Sequence, residues 1–454
     1  MNSYLLWLCL VVCLSIPVDA QSLSNPKPDA RYKADLLVVV AHPDDETEIG
    51  AYLARAIFDE KKRVAVVFGN RGNTGGNAQG QEQAAALGDI REIEARRALA
   101  HFGVMNVWFL NGIDTPGQNV LDSLEIWDHG SSLDRLVRLV RLTRPAVIAT
   151  WLPDWVAGEN HGDHQAAGVL ATEAFDMAAD PTVFAEQLSV PKDRQDINNL
   201  TEGLHPWQPE KLYYFSDAAH TDFLKGKGPA YVAKENSPSR HESYARLAAE
   251  ECAYHLTQGD SGQMAAHSLA TNDLHYFEQP VLFIFGKSYV KSGVTDDLFA
   301  GIIPDGIAYQ RPPGFQPEKT SGPAIELGGS WSFYRQFWKA HGLDHLAGLI
   351  GPEIMANYAS RFIIPVLLEN PTDTPINVNL SVALPEGWTF MSRPEPTFSV
   401  PSHEQYSYIF AAKTPSAETS GWRTIAIEAT SNQQSIGQIH IRVELDHGAM
   451  PQGR

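Results

Sequence analysis

The sequence predicts an α/β fold: a Rossmann-like, mostly parallel sheet flanked by helices, followed by a C-terminal β-sandwich. Three observations carry this expectation. Short runs of β-branched residues, each long enough for one buried strand, alternate with stretches of helical periodicity from Leu36 to Phe285. Glycine-rich or histidine-bearing segments follow those runs, as loops do at the carboxyl edge of a parallel sheet. From about Arg361 the texture changes to short alternating runs separated by turn residues. The 454 residues suffice for two or three domains. A composition of 43% hydrophobic and 20% charged residues is that of an ordinary globular protein. The net charge of -19 argues against nucleic acid or an anionic membrane surface as a partner.

The chain opens on a segment, residues 1–20, that reads as a secretory signal. Leu5 to Ile16 is apolar, and Val18-Asp19-Ala20 offers small residues for cleavage before Gln21, although no Lys or Arg precedes the run. The expected location is secreted or periplasmic, with no stable membrane span after signal removal. Cys9 and Cys13 would leave with the signal. Cys252 would remain as a buried, inert thiol, and one cysteine forms no internal disulfide.

Gln21 to Lys33 is a polar lead-in. Leu36 to Val40 is an unbroken apolar run and the first strand. Ile49, Leu53, Ala56 and Ile57 fall at helical spacing, and Arg63 to Phe68 forms the second strand, completing a βαβ unit. Gly69 to Gly80 is a Gly- and Asn-rich loop with neither nucleotide-binding glycine pattern. A helix is expected over about Asp89 to Phe102, a strand at Val107 to Leu110, and a helix at Leu133 to Leu142. In that last helix Arg135, Arg138 and Arg141 read, with Arg144, as a solvated face. Pro145 to Trp151 is the fourth strand, followed by Trp155, Glu159 and Asn160. Gln165 to Phe175 and His241 to Tyr254 are helices, and Leu212 to Phe215 and Pro280 to Phe285 are strands. Asp180 to Gly203 reads as an insertion. The expected domains are residues 33–290 for the α/β unit, 291–358 for a connecting region without a clear helical stripe, and 359–446 for the sandwich.

Two motifs carry chemistry. His42-x-x-Asp45 ends the first strand and His161-x-x-His164 follows the fourth, so a parallel sheet brings both to one edge. Adjacent carboxylates and imidazoles at the end of a buried strand are costly unless something pairs with them, and a divalent cation does so. The plainer reading of Asp44 or Asp45 is a helix cap. His42, Asp45 and a histidine of the second motif give the three ligands of a catalytic zinc with a position left for water, whose pKa zinc can lower to about 7. Asp44 stands beside the ligands, where a general base belongs. His161 is placed to stabilise an oxyanion or protonate a leaving amine if it is charged when needed, with Asp163 to orient it.

AHPDDE at Ala41 to Glu46, together with HGDH at His161 to His164, resembles the PIG-L/LmbE family of zinc-dependent N-acetylglucosaminyl deacetylases. The resemblance spans about Lys33 to Gly286. REIEARRALAHFG resembles the family's Arg-x-x-Glu helix through Arg91 and Glu94, and HLTQG at His255 to Gly259 resembles its His-x-Ser/Thr-Gln segment. The resemblance implies one zinc per chain on His42, Asp45 and His164; its preference for His164 over His161 comes from the family. It implies Asp44 as general base, His161 as oxyanion stabiliser or acid, and Arg91 facing substrate. The implied reaction removes acetyl from an N-acetylated sugar or glycoconjugate. The alternatives are a non-catalytic carbohydrate-binding protein on the same scaffold and a deacylase of a non-sugar amide.

Among the tryptophans, Trp127, Trp151 and Trp155 offer stacking faces for a sugar ring. Trp151 reads first as core, and Trp155 is the candidate substrate contact. The segment from Asn370 to Trp388 resembles the spacer β-sandwiches appended to secreted carbohydrate-active enzymes, with a structural role expected.

Overall fold

The computed structural model describes residues 27–156, 161–188, 202–218, 220–303, 307–315, 320–349, 351–391, 397–416 and 421–446. The expected signal, Glu159, Asn160 and residues 189–201 of the expected insertion lie outside the described residues.

The α/β unit runs β1 (Leu36–Val40), α1 (Gly50–Phe58), β2 (Val64–Phe68), α2 (Ala84–His101), β3 (Val107–Phe109), α3 (Val120–Ile126), α4 (His129–Thr143), β4 (Val147–Trp151), α5 (Gly162–Met177) and β5 (Lys211–Phe215). It continues with β6 (Ala230–Tyr231), α6 (Tyr244–Cys252), α7 (Met264–Thr271), β7 (Val281–Leu282) and β8 (Ile284–Ser288). The six-stranded sheet has the order β3-β2-β1-β4-β5-β8. All its pairings are parallel except β5 with β8. β1, β2, β4 and β5 are buried at every position, which is why they read as continuous apolar runs rather than alternating ones. The strand order reverses between β1 and β4, so the crevice at their carboxyl ends is the topological switch point. Both histidine motifs leave the sheet there.

β9 (Ala324–Leu327), α8 (Ser330–Ala340) and β10 (Glu353–Asn357) follow. Then come β11 (Arg361–Asn370), β12 (Ile376–Ala383), β13 (Thr389–Phe390), β14 (Thr397–Val400), β15 (Glu404–Lys413), β16 (Gly421–Ser431) and β17 (Gln434–Asp446). They form two sheets, β10-β17-β16-β12-β14 and β13-β15-β11-β9. Between these lies a second core that includes Phe362, Ile364, Phe410, Ile425 and Ile441.

Three expectations change. The sandwich begins before residue 359, because β9 pairs with β11 and β10 pairs with β17. The connecting region holds a helix: in α8, Ser330, Tyr334, Phe337 and Trp338 are buried at helical spacing. Arg141 is no part of a solvated face. It is fully buried, and its guanidinium donates to the carbonyls of Ala178, Asp180, Val183 and Phe184 and to Gln187, holding the chain after α5. A residue that ties a loop through backbone carbonyls leaves no mark in charge periodicity.

Candidate active site

β1 ends at Val40, and the chain turns through His42, Pro43 and Asp44 into a 3₁₀ turn over Asp45–Ile49. Asp44 has a φ of 101°, a sparsely populated conformation for a residue with a side chain, and makes no capping bond. The helix-cap reading of Asp44 therefore fails. Asp45 is spent otherwise. Its Oδ2 accepts from the backbone N–H of Ala41 and of His42, each at 2.9 Å, and from Trp151 Nε1 at 2.7 Å. Its Oδ1 is left facing two imidazoles, His42 Nδ1 at 3.5 Å and His164 Nε2 at 3.4 Å.

These separations bear on the metal. Bonds of about 2.0–2.1 Å at a tetrahedral centre place ligand atoms about 3.3–3.4 Å apart. The donor atoms of His42, Asp45 and His164 lie within 4.8 Å of one another and are of the two chemical kinds that suit zinc. The residues fit the group. Without a cation, Asp45 lies well below the usual carboxylate range: burial opposes its charge, and His164 and His42 more than offset that. His42 is held well above the usual imidazole range, because Asp45, Asp114 and Asp163 outweigh its burial.

The second motif enters from α5. His161 precedes the first turn, and its Nδ1 accepts the Asp163 backbone N–H at 3.2 Å. That bond leaves the proton of a neutral His161 on Nε2. Burial, then the neighbouring His42 and His164, pushes His161 down to about 3. These surroundings disfavour a charged ring and leave the Nε2–H of His161 as a hydrogen-bond donor. His164 lies flat on Trp151, ring centroids 4.4 Å apart and planes 10° apart. Trp151, expected as core and buried, thus also touches two of the candidate ligands, His164 by stacking and Asp45 through its Oδ2.

Asp163 is fully buried and does not point at His161 as expected. Its Oδ2 lies 3.4 Å from His42 Nε2 and accepts from Asn70 Nδ2 and the Thr115 N–H. Its Oδ1 accepts from Thr115 Oγ1. A carboxylate behind the second nitrogen of a ligating imidazole fixes the ring and raises its basicity. Asp114, which sequence reasoning missed, lies 3.4 Å from the same nitrogen, and its other oxygen accepts the Thr74 N–H at 2.9 Å. It sits in a loop with no spacing signal. Its nearness to His42 and His161 emerges only in three dimensions.

Asp44 is braced from the far end of the domain. Ser261 Oγ donates to its Oδ2 at 2.6 Å, Gln258 Nε2 donates to the Pro43 carbonyl, and Glu46 accepts the Asp44 N–H at 3.0 Å. The other oxygen of Glu46 meets His255 Nε2 at 2.9 Å, both residues being fully buried. Burial, then Asp45, pushes the Asp44 carboxyl up to about 6, near neutral pH. Glu94 accepts from the N–H and hydroxyl of Thr257, so the α2 motif anchors the same HLTQG segment.

Arg91 donates to the carbonyls of Gly72 and Gly76. A Cβ at Gly72 or Gly75 would stand 2.7 Å from Arg91 Nη1, which is why glycine recurs in that loop. Arg91 is thus committed to shaping the loop beside Asp44. Trp127 is buried against Gly69, its N–H on the Ile113 carbonyl. Trp155 is not brought to the histidines at all. It stacks on Trp331 of α8, centroids 4.5 Å apart, and is 4% exposed. The indole face expected against a sugar ring is thus covered by Trp331. Cys252 is buried, as expected.

The PIG-L family model, described as GlcNAc-PI de-N-acetylase, matches residues 37–175. A 1D-myo-inositol 2-acetamido-2-deoxy-alpha-D-glucopyranoside deacetylase 1 from Frankia alni is 33% identical over 192 residues, 38% of this chain and 59% of that protein. The deacetylase of the same description from Mycobacteroides abscessus is 28% identical over 291 residues, 59% of this chain and 98% of that protein. The solved N,N'-diacetylchitobiose deacetylase from Pyrococcus horikoshii aligns at 18% identity with a TM-score of 0.38, over 58% of this chain and 86% of that one. The chain thus spans under two thirds of the Frankia relative and nearly all of the Mycobacteroides one. Both motifs lie inside the matched segment, so residues 37–175 are what this chain shares with the PIG-L family model.

Proposed function

We propose that the protein is a zinc-dependent hydrolase that removes the N-acetyl group from an N-acetylated aminosugar or glycoconjugate. The observation that carries the reading is the meeting of His42 Nδ1 and His164 Nε2 on one oxygen of Asp45, with Asp44 beside them and His161 close to His42. His42, Asp45 and His164 would hold the zinc, which when bound supplies Lewis acidity at neutral pH. Asp44, oriented by Ser261, takes a proton from the attacking water as its oxygen bonds to the amide carbon. Nε2–H of His161 donates to the amide oxygen as negative charge gathers there. Asp44 then returns the proton to the nitrogen, the C–N bond breaks, and acetate and a free amine leave. The sugar assignment follows the named substrates of the relatives, and export follows the apolar Leu5 to Ile16 segment.

The test is acetate release from a panel of N-acetylated sugars and acylated non-sugar amines, by the metal-loaded wild type and by Asp44→Asn. The expected result is turnover of N-acetyl sugars that Asp44→Asn abolishes while metal stays bound. Turnover confined to the non-sugar amines would refute the substrate class. Unimpaired turnover in Asp44→Asn would refute the base.

A further inference from the structure

The loop between β3 and α3 carries more of the site than Asp114 alone. Thr115, the next residue, donates to Asp163 through its N–H at 2.9 Å and its hydroxyl at 2.6 Å. Asp114 and Asp163 each lie 3.4 Å from His42 Nε2. Two consecutive loop residues therefore set both carboxylates behind that imidazole. The Gly117 carbonyl accepts the Gly162 N–H at 2.8 Å, inside the HGDH motif. A Cβ at Gly162 would stand 2.8 Å from the Asn119 carbonyl oxygen and 2.5 Å from Ser123 Oγ, so the chain here lies directly on that motif. Residues 113–118 form no helix or strand, and such a segment keeps its place only through the contacts it makes.

One of those contacts leaves the α/β domain. Gln118 Nε2 donates to the Met355 carbonyl of β10 at 2.9 Å. β10 ends its sheet and pairs with β17 on one side. On that side the Pro352 carbonyl accepts the Arg442 N–H, so by alternation the Met355 carbonyl faces the outer edge of the sandwich, where Gln118 meets it. Two residues earlier on the same strand, buried Glu353 is ion-paired with Arg442 and lies 3.4 Å from Nε2 of His220, in the loop after β5. The His220 ring also meets Trp422 of β16 edge-on, centroids 5.4 Å apart. In the order β3-β2-β1-β4-β5-β8, β3 and β5 stand on opposite sides of the β1–β4 switch point. A single strand of the sandwich thus holds loops from both flanks of the crevice. Joining the domains does not by itself require this, because His341 at the end of α8 already meets buried Asp176 of α5 at 2.7 Å.

We propose that β10 of the sandwich braces the active site, and that Gln118 is a positioning residue which, through the Met355 carbonyl, fixes the loop that sets Asp114 and Asp163 behind His42. The inference rests on the ligand set of the deacetylase reading. It gives the C-terminal domain a part in tuning the metal centre, beyond that of a spacer.

The test compares two variants of the full chain. Gln118→Met keeps the length of the side chain and removes the donor, and Gln118→Lys supplies a donor again. Hydrogen exchange at Thr115 and Gly162 reports the loop, and competition with a chelator reports zinc affinity. In Gln118→Met, exchange at both amides should quicken and zinc binding should weaken, each by about three- to tenfold, the scale of one hydrogen bond. Gln118→Lys should recover most of both. A contact that merely joins the domains would lower the melting temperature of Gln118→Met and leave loop exchange and zinc affinity as in the wild type; that result would overturn the brace. The two readings fail separately. A wild type that binds no zinc contradicts the ligand set, and loop exchange then decides the brace alone. A zinc-loaded wild type that releases no acetate sinks the deacetylase reading, while exchange and affinity still decide the brace.

Discussion

Trp151→Phe tests how the ligand set is held. Its indole N–H is one of three donors on Asp45 Oδ2, at 2.7 Å, beside the N–H groups of Ala41 and His42. Those bonds fix the carboxylate so that Oδ1 faces the two imidazoles. A hydrogen bond to a buried charged group contributes about 1.5–3 kcal/mol. Its loss, at about 1.4 kcal/mol per tenfold, weakens metal affinity by about 10- to 100-fold, the usual range for groups behind a ligand. Phenylalanine keeps a ring against His164, so the change falls mainly on the N–H. The smaller ring also leaves a void, which lowers stability with or without metal. Competition against a chromogenic chelator measures the affinity, and melting of metal-free and metal-loaded protein separates the two effects. An affinity within twofold of wild type in a folded variant would refute the view that the indole N–H positions Asp45.

Other outcomes follow from the same geometry. Activity should fall with acidity below about pH 6, where Asp44 becomes protonated, and a bound cation moves that limb lower. Ser261→Ala removes a bond that favours the carboxylate, so the acid limb should move to higher pH; an unmoved limb would detach Ser261 from the base. His255 is held up to about 9 against its burial, chiefly by Glu46. That stabilisation, about 3 kcal/mol, is fully present below pH 6.5 and lost as pH rises through about 9. Urea melts between those limits should lose it, and Glu46→Gln should flatten the slope. Gly72→Ala, at a φ of 62° and facing Arg91, should cost about 1–3 kcal/mol in the same melts. Chelation should abolish turnover, and zinc should restore it.

Much of the candidate site was legible in the sequence because its candidate ligands come in two short motifs at strand ends. The sheet order carries both to the switch point, and the apolar run before His42 announces the first strand. What stayed hidden depends on contacts distant in sequence. Asp114 is 72 positions from His42, and Ser261 is 217 from Asp44. Neither sits in a pattern that chemistry imposes locally. Asp163 was found but its target was not, since a carboxylate two residues from one imidazole backs another across the crevice. Trp155 was picked for its aromatic face, and that face is covered by Trp331, on a helix the sequence did not reveal. β9 and β10 were missed because short strands flanked by Gly and Pro show no alternation until their partners are known.

The most direct test of metal-dependent chemistry at His42, Asp45 and His164 is the metal content of the purified protein beside that of His164→Ala, both dialysed against the same zinc buffer. The expected result is about one zinc per chain in the wild type and a large loss in the variant, as a three-ligand site requires. No bound metal in either protein, or equal zinc in both, would contradict the ligand set and the deacetylase reading built on it.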